Sequence, residues 1–385
     1  MTSRGKYRTW IEINAAALRH NIEQLRELTG KKTRFMAMVK SNAYGHGLVQ
    51  VASQLANHKS QITNHKQIWF GVDSIVEALR LRRGGIANPI LVLGFTLPAR
   101  IGEATRENIS LTVSNFDALN VIAKIKTPPR FHVKVDTGMH RQGFMPGEVP
   151  QALKIINKFN LKPQGVYTHF AVAKDVAYPT YTLDQFSKLK NAVKIFEKAG
   201  HKNFIKHAAA TGGTMLFPET HLDMVRVGMG LYGYWPSQES KTQYSLTGNI
   251  RLSLEPVLQW KTVVAETKEM PAGSYVGYDL TERVNRDTKT AVLPIGYWHG
   301  YDRGLSSVGE VLIRGKRAKV LGRVSMDILV VDATGIKGVK TGDEVVLIGK
   351  QGNESVWADE LSLKIGTTPY EFLTRINPLI KREFI

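Results

Sequence analysis

The N-terminal part of this chain repeats one pattern eight times: a short run of β-branched and apolar residues, then a stretch with helical periodicity. The apolar runs fall at 34–39, 68–72, 89–93, 110–113, 131–135, 164–168, 203–207 and 223–227. Helical patterns fill 15–28, 48–56, 74–82, 99–107, 115–124, 150–159 and 183–198, and a short one begins after Thr211. Eight βα units in one run predict an α/β architecture, a TIM-like (β/α)8 barrel. A doubly wound open sheet is the alternative. It usually has fewer units and carries a Gly-x-Gly-x-x-Gly turn after its first strand, and no such turn is present.

After Tyr234 the character changes. Pro236-Ser237-Gln238-Glu239-Ser240 reads as a linker. Alternating strands follow at 257–266, 289–293, 310–313, 318–321, 328–332 and 344–348, with a helical piece near 368–376. This predicts a mainly β C-terminal domain. Thr9-Trp10-Ile11-Glu12-Ile13 also alternates, as a strand that joins that domain would. The expected division is a barrel over 14–238 and a mainly β domain over 239–385 together with strand 8–13.

The 385 residues are 43% hydrophobic and 22% charged, which suits a globular protein with a full core. There is no cysteine, so disulfides, thiolate metal sites and a cysteine nucleophile are excluded, and no metal is expected. No apolar run approaches the ~20 residues of a membrane helix. Residues 1–14 lack an apolar signal region, so the expected location is the cytoplasm. The net charge of +19 raises nucleic-acid binding as a class. The basic residues are scattered, however, and clusters such as Arg80-Leu81-Arg82-Arg83 are short. They read as solvated faces, so neither nucleic acid nor membrane is an expected partner.

Barrels carry their chemistry at the C-terminal ends of the strands. That rule selects Lys40, the segment Asp136 to Arg141, His169, the Ala210-Thr211-Gly212-Gly213 turn and Arg226. Lys40 ends the apolar run Ala37-Met38-Val39 and precedes Ser41-Asn42-Ala43-Tyr44-Gly45-His46-Gly47. Desolvation at the end of a buried strand favours a neutral amine, a nucleophile that forms a Schiff base with an aldehyde. The glycine turn and the helix after it offer backbone N–H groups to a phosphate. Lysine plus phosphate cradle points to pyridoxal phosphate. For an isolated Lys-x-x-x-Tyr-Gly, a snorkelling lysine before an ordinary turn is the commoner meaning. Arg226 could pair with a carboxylate or donate to a pyridine nitrogen. Arg141 could be a surface arginine or grip a substrate carboxylate through its planar fork. His169 alone reads as a core histidine, with Arg226 as a plausible partner. Thr211 begins a helix where barrels often hold phosphate.

Taken together, these residues resemble the alanine racemases, fold-type III pyridoxal phosphate enzymes, along nearly the whole chain. The resemblance rests on Lys40–Gly47, Asp136–Arg141, His169, Asp223–Gly230, Gly277-Tyr278, Pro294-Ile295-Gly296-Tyr297 and Gly322-Arg323-Val324-Ser325-Met326-Asp327. It implies two-base interconversion of L- and D-alanine, supplying D-alanine for peptidoglycan, with Lys40 and Tyr278 as opposing catalytic bases. It implies that Lys40 carries the cofactor, that Arg226 meets the pyridine nitrogen with His169 in the same network, and that Tyr44, Thr211, Gly228 and Met229 bind phosphate. Arg141, Met326, Tyr297 and Asp327 would bind substrate, and Lys134 matches a lysine that is carbamylated in many members. A head-to-tail homodimer with shared active sites is also implied.

Some positions depart from the family pattern. Gly296-Tyr297-Trp298-His299-Gly300 exchanges an acid for His299 near the expected entrance. Asn377-Pro378-Leu379 stands where many members carry a tyrosine that touches phosphate. These changes bear on substrate range, and the alternative is a broad-specificity amino-acid racemase of the same fold. A decarboxylase of this fold type would need a cysteine and a carboxylate at the pyridine nitrogen. A non-catalytic pyridoxal phosphate carrier would lack the second domain.

Overall fold

The computed structural model describes residues 7–57, 67–246 and 252–385. The first six residues of the N-terminal segment read above for a signal lie outside the described residues. The chain parts into two compact units. One is Leu18–Ala43 with Leu48–Glu255, and the other is Met1–Ala17, Tyr44–Gly47 and Pro256–Ile385.

Strand β1 is Thr9–Ile13 and belongs to the second unit. The first unit is the barrel: β2 (Arg34–Met38), β3 (Trp69–Val72), β4 (Ile90–Val92), β5 (Ser110–Val113), β6 (Phe131–Lys134), β7 (Gly165–Tyr167), β8 (Ile205–His207) and β9 (Met224–Val227). Among the described residues these eight pair in parallel and in sequence order, and β2 closes on β9 with Met36 opposite Arg226. The strands are buried on both faces, and β3, β4, β5, β6, β7 and β9 are buried at every position. The connecting helices are fixed at their starts by side chains. Ser74 caps Ile75–Arg83 and Asn115 caps Phe116–Ala123, each accepting a backbone N–H of the first turn.

The second unit is built on one sheet. Its strands are β10 (Leu258–Val263), β11 (Glu266–Met270), β14 (Thr288–Leu293), β15 (Glu310–Ile313), β16 (Lys316–Leu321), β17 (Leu329–Asp332), β18 (Glu344–Gln351), β19 (Glu354–Val356) and β20 (Arg382–Phe384). The order is β11-β14-β17-β16-β15-β18-β10-β1-β20, with β19 on β18. β12 (Tyr275–Val276) and β13 (Glu282–Arg283) form a separate small pair. β1 runs antiparallel to β10 and parallel to β20, so the first strand of the chain sits between two strands of its last part. Strand β10 alternates buried and half-buried residues, as a sheet with one covered face does. Fully buried Trp260 anchors it, and its indole N–H donates to Thr9 Oγ1 at 2.9 Å.

Two expectations are corrected. The stretch read as a linker at 236–240 enters a helix, Gln238–Leu246. Ser237 starts it: Ser237 Oγ accepts the N–H of Ser240, and Ser240 Oγ accepts that of Ser237. Ser240 and Tyr244, one turn apart, form its buried face. The strand expected at 257–266 is two, because Val264 and Ala265 turn the chain from β10 into β11. Among the described residues, no helix is long and apolar enough to cross a membrane.

Candidate active site

The ends of barrel strands β7 and β8 converge on Arg226, which is 3% exposed at the end of β9. Its Nη2 donates to the carbonyls of Thr168 and Ala208, both at 2.8 Å, and lies 3.3 Å from His169 Nδ1. Its Nη1 lies 2.7 Å from His207 Nδ1. Burial lowers the guanidinium pKa to about 10, so it stays protonated at neutral pH. A guanidinium has no acceptor, which settles the tautomers beyond it. Arg226 donates to His207 Nδ1, so the His207 proton is on Nε2. That proton points along a 2.8 Å contact to His132 Nδ1, so the His132 proton is also on Nε2. Burial, first of all, pushes His207 well below its ordinary value and His132 down to about 3, with Arg226 adding to both. Both rings are neutral. Tyr167 stacks on His207 with ring centroids 4.5 Å apart, and Arg226 lies 5.2 Å over the same tyrosine. Gly165 makes room for this chain: a Cβ there would overlap His132 Nδ1.

No carboxylate faces Arg226 among its hydrogen-bond partners. Its Nε–H and its second Nη1–H are left without a protein acceptor among the described residues. A buried cation with donors to spare fits a ligand that brings its own acceptor, as a pyridine nitrogen does. Thr211 starts the helix Thr211–Leu216 after β8, and its Oγ1 accepts the Gly228 N–H at 3.0 Å. Met229 begins the 3-10 turn that follows. The barrel unit thus brings together Lys40, Lys134, His169 and Arg226, and separately Thr211, Gly228 and Met229.

Lys40 is half-buried at the end of β2. The residues after it take an unusual path: Ser41, Asn42, Ala43 and Tyr44 have φ of 55°, 55°, 53° and 53°. This is a left-handed turn built without glycine. Each such residue costs about 1–2 kcal/mol, so the turn requires specific bonds to hold it. Asn42 Oδ1 accepts the N–H of Leu48 at 3.0 Å and ties the turn to the next helix.

Asp136, selected from the sequence with Arg141, proves to hold a turn. Its Oδ1 accepts the N–H groups of Gly138 and His140 at 3.0 and 2.9 Å, and Oδ2 accepts that of Arg141 at 2.9 Å. Burial would raise its pKa, but these bonds outweigh it and hold the carboxyl below its ordinary value. The Arg141 guanidinium is exposed and has no partner among the described residues, as a carboxylate-binding group would. Lys134 is buried, with Nζ 3.1 Å from Gln142 Oε1. Burial, then Arg141 and Arg226, lowers it to about 8 against the opposing pull of Asp136. Part of His169 reaches solvent, but burial and the cations Arg226, Arg141, Lys134 and Lys40 all push it towards the neutral ring.

The remaining expected site residues lie in the other unit. Tyr278 is 68% exposed and follows Gly277, whose φ is 76°. Its neighbour Asp279 pairs with Arg323 Nε at 2.6 Å. Tyr297 N–H donates to Ser325 O and Trp298 N–H to Met326 O, both at 3.0 Å, so Tyr297, Met326 and Asp327 share one surface. His299 is buried, and its Nδ1 accepts the Gly296 N–H at 3.2 Å and closes the turn. Pro378 likewise has a structural part. Its carbonyl accepts from Arg382 Nη1 at 3.1 Å, and Arg382 Nε donates to Gly45 O at 2.9 Å. Tyr44 is buried in this unit, 6.1 Å from the Tyr370 ring, and burial raises its pKa.

Two residues of the Arg226 cluster were missed, and a third, Glu77, contacts the loop after Lys40. His207 ends a predicted strand, so the strand-end rule could have found it. His132 gives no sequence signal of its own, and Glu77 reads there only as the acid of a Ser74-x-x-Glu77 capping box.

Two family models match the chain, alanine racemase N-terminal domain at 13–236 and alanine racemase C-terminal domain at 257–384. The alanine racemase of Leptospira interrogans serovar Lai is 36% identical over 378 residues, covering 98% of this chain and 95% of the relative. That of Methanococcus maripaludis is 38% identical, covering 98% of each. Among solved structures, alanine racemase from Bacillus anthracis with bound L-Ala-P matches with a TM-score of 0.89 and 32% identity, over 98% of this chain and 95% of that one. The enzyme from D-cycloserine-producing Streptomyces lavendulae matches at 0.87 and 30%, over 98% and 97%. With both domain models matched and relatives aligned over almost its whole length, the chain belongs to the alanine racemase family.

Proposed function

We propose that this protein interconverts L- and D-alanine with pyridoxal phosphate held by Lys40, and so supplies D-alanine for peptidoglycan in the cytoplasm. The family is pyridoxal phosphate-dependent. The observation that carries the assignment to this chain is the Arg226 cluster. It is a buried guanidinium, saturated on one side by carbonyls and neutral imidazoles, with two donors left over.

The cofactor, when bound, supplies an electron sink that acidifies the Cα–H of an amino acid. Arg226 would hold the ring nitrogen with a hydrogen bond and keep its proton, because its pKa of about 10 is far above that of a pyridine. The sink is therefore weaker than one set by a carboxylate, which disfavours side reactions such as transamination. Thr211, Gly228 and Met229 would hold the phosphate from the barrel unit, and Tyr44 is the phosphate residue that the resemblance names in the other unit. Lys40 Nζ holds or delivers the proton on one face of Cα, and the Tyr278 phenol does so on the other. Inversion requires two groups, since one fixed group cannot serve opposite faces. Arg141, Met326, Tyr297 and Asp327 hold the substrate. Lys134 at about 8 keeps roughly a tenth of its amine neutral at pH 7, enough to be carbamylated by carbon dioxide. Tyr278, Tyr297 and Met326 are exposed on a single chain, which supports a homodimer in which a second copy covers them.

The test is racemisation of a panel of L-amino acids by the purified protein with pyridoxal phosphate, each enantiomer quantified by chiral chromatography. Fast turnover of alanine alone is the expected result. Comparable rates on serine, lysine or arginine would replace the substrate assignment with a broad-specificity racemase. No racemisation, with a borohydride-reducible adduct still present, would refute the reaction.

A further inference from the structure

The left-handed turn after Lys40 is held by a carboxylate from the next βα unit. Glu77 Oε1 accepts the N–H of Ser41 at 2.6 Å and approaches that of Asn42 at 3.4 Å. Its other oxygen, Oε2, accepts the N–H of Asp73 at 2.9 Å. One side chain therefore joins the loop after β2 to the loop after β3. Glu77 does not close the capping box that its sequence position announces. Ser74 Oγ receives the Glu77 N–H at 3.3 Å, while the Glu77 carboxylate turns away to Asp73 and across to the lysine loop. Ala43 N–H donates to Val39 O at 2.8 Å, a bond that a single turn makes anyway, and Asn42 Oδ1 holds the Leu48 N–H. The Glu77 carboxylate is thus the side chain that engages the backbone N–H groups of both Ser41 and Asn42.

We propose that Glu77 is a positioning residue for the reactive lysine. Its carboxylate fixes the left-handed turn that sets where Lys40 Nζ points. Glu77 itself does not touch substrate or cofactor. The proposal rests on the reading of Lys40 as the cofactor lysine. The physical logic is that an amine half-buried at a strand end aims according to the backbone just beyond it, and a turn without glycine relaxes once its anchor is lost.

The experiment follows the visible absorbance of the lysine-bound cofactor after free pyridoxal phosphate is added to cofactor-stripped protein. The wild type is compared with Glu77→Gln, with Glu103→Gln as a surface-acid control, and with Glu77→Gln/Ser41→Gly. Borohydride reduction and peptide mapping identify the modified lysine. Glu77→Gln is expected to slow adduct formation at Lys40, and to lower kcat with little change in KM, by about ten- to a hundredfold, the loss set by one charge-assisted hydrogen bond. Glycine takes a left-handed backbone freely, so Ser41→Gly in that background is expected to recover about fivefold or more. A general packing defect would not be repaired by removing a side chain from an exposed serine. Wild-type adduct formation by Glu77→Gln overturns the proposal, as does a double variant no better than the single one. If wild type forms the Lys40 adduct but racemises nothing, the functional assignment fails, while the adduct rates still decide the role of Glu77.

Discussion

Lowering the pH should attack the barrel through His132. The ring is fully buried and neutral, with a pKa of about 3, whereas an unfolded histidine titrates near 6.5. Because the folded value is the lower one, the unfolded chain takes up the proton first. The stability that His132 contributes is complete above about pH 6.5 and is lost as the pH falls towards its folded value. At pH 5 the unfolded form gains RT ln(1 + 10^1.5), or about 2 kcal/mol, while the folded form gains almost nothing. The cause is burial first of all, with Arg226 adding to it, and the fixed run of protons opposes a charge in the same way. Arg226 donates to His207 and His207 to His132, so a proton on His132 Nδ1 would face another N–H at 2.8 Å. His132→Asn removes the titration but keeps an acceptor, Oδ1, near the place of Nδ1. The variant is less stable than wild type at every pH, because it is smaller. Its loss between pH 7.5 and pH 5 should nevertheless be smaller than that of wild type by about 2 kcal/mol. Urea unfolding at the two pH values, at equal cofactor saturation, measures that difference, with Trp69 fluorescence as a local probe: its ring lies 5.8 Å from that of His132. An identical pH dependence in wild type and variant would refute the neutral-histidine reading and the tautomer chain derived from it.

Three further outcomes follow from the same geometry. Tyr278→Phe is expected to slow removal of the α-proton from L-alanine by about 10²–10⁴-fold, the usual range for a lost acid–base group, and to slow D-alanine less. Equal losses with both α-deuterated enantiomers would count against opposing bases. Arg226→Glu places a carboxylate where the guanidinium now lies, which strengthens the electron sink and should raise pyruvate formation relative to racemisation. An unchanged product ratio would remove that role from Arg226. Lys134, lowered to about 8, has a neutral fraction that grows roughly tenfold per pH unit below that value. Bicarbonate depletion should therefore lower activity reversibly in wild type and leave Lys134→Arg unaffected, and equal responses would exclude carbamylation.

What the sequence makes legible, and what it does not, divides by the range of the interaction. The barrel is legible because each strand is a local apolar run and the βα alternation repeats, so errors of a residue or two at the ends do no harm. Lys40, His169 and Arg226 are legible because one geometric rule, the end of a barrel strand, selects them whatever their partners. The helix at Gln238–Leu246 was missed because its polar sequence carries only two buried positions, Ser240 and Tyr244, too few to show a period. The part His299 plays in the fold was hidden for a different reason. A histidine replacing an acid looks like a change of charge at an entrance, yet its Nδ1 accepts the Gly296 N–H as a neutral acceptor, so what it supplies is a lone pair rather than a charge. His132 and Glu77 lie beyond either kind of reading. His132 matters only because β6, β7 and β8 close in register and Gly165 clears the space beside it. Glu77 matters only because the loop after Lys40 turns left-handed, and nothing in Ser41-Asn42-Ala43-Tyr44 announces a backbone normally reserved for glycine. That turn is itself possible because its compensation comes from 36 residues further along the chain. The candidate residues of the barrel can thus be read from strand ends, Tyr278 of the other unit only from the resemblance, and His132 and Glu77 only once the barrel has closed.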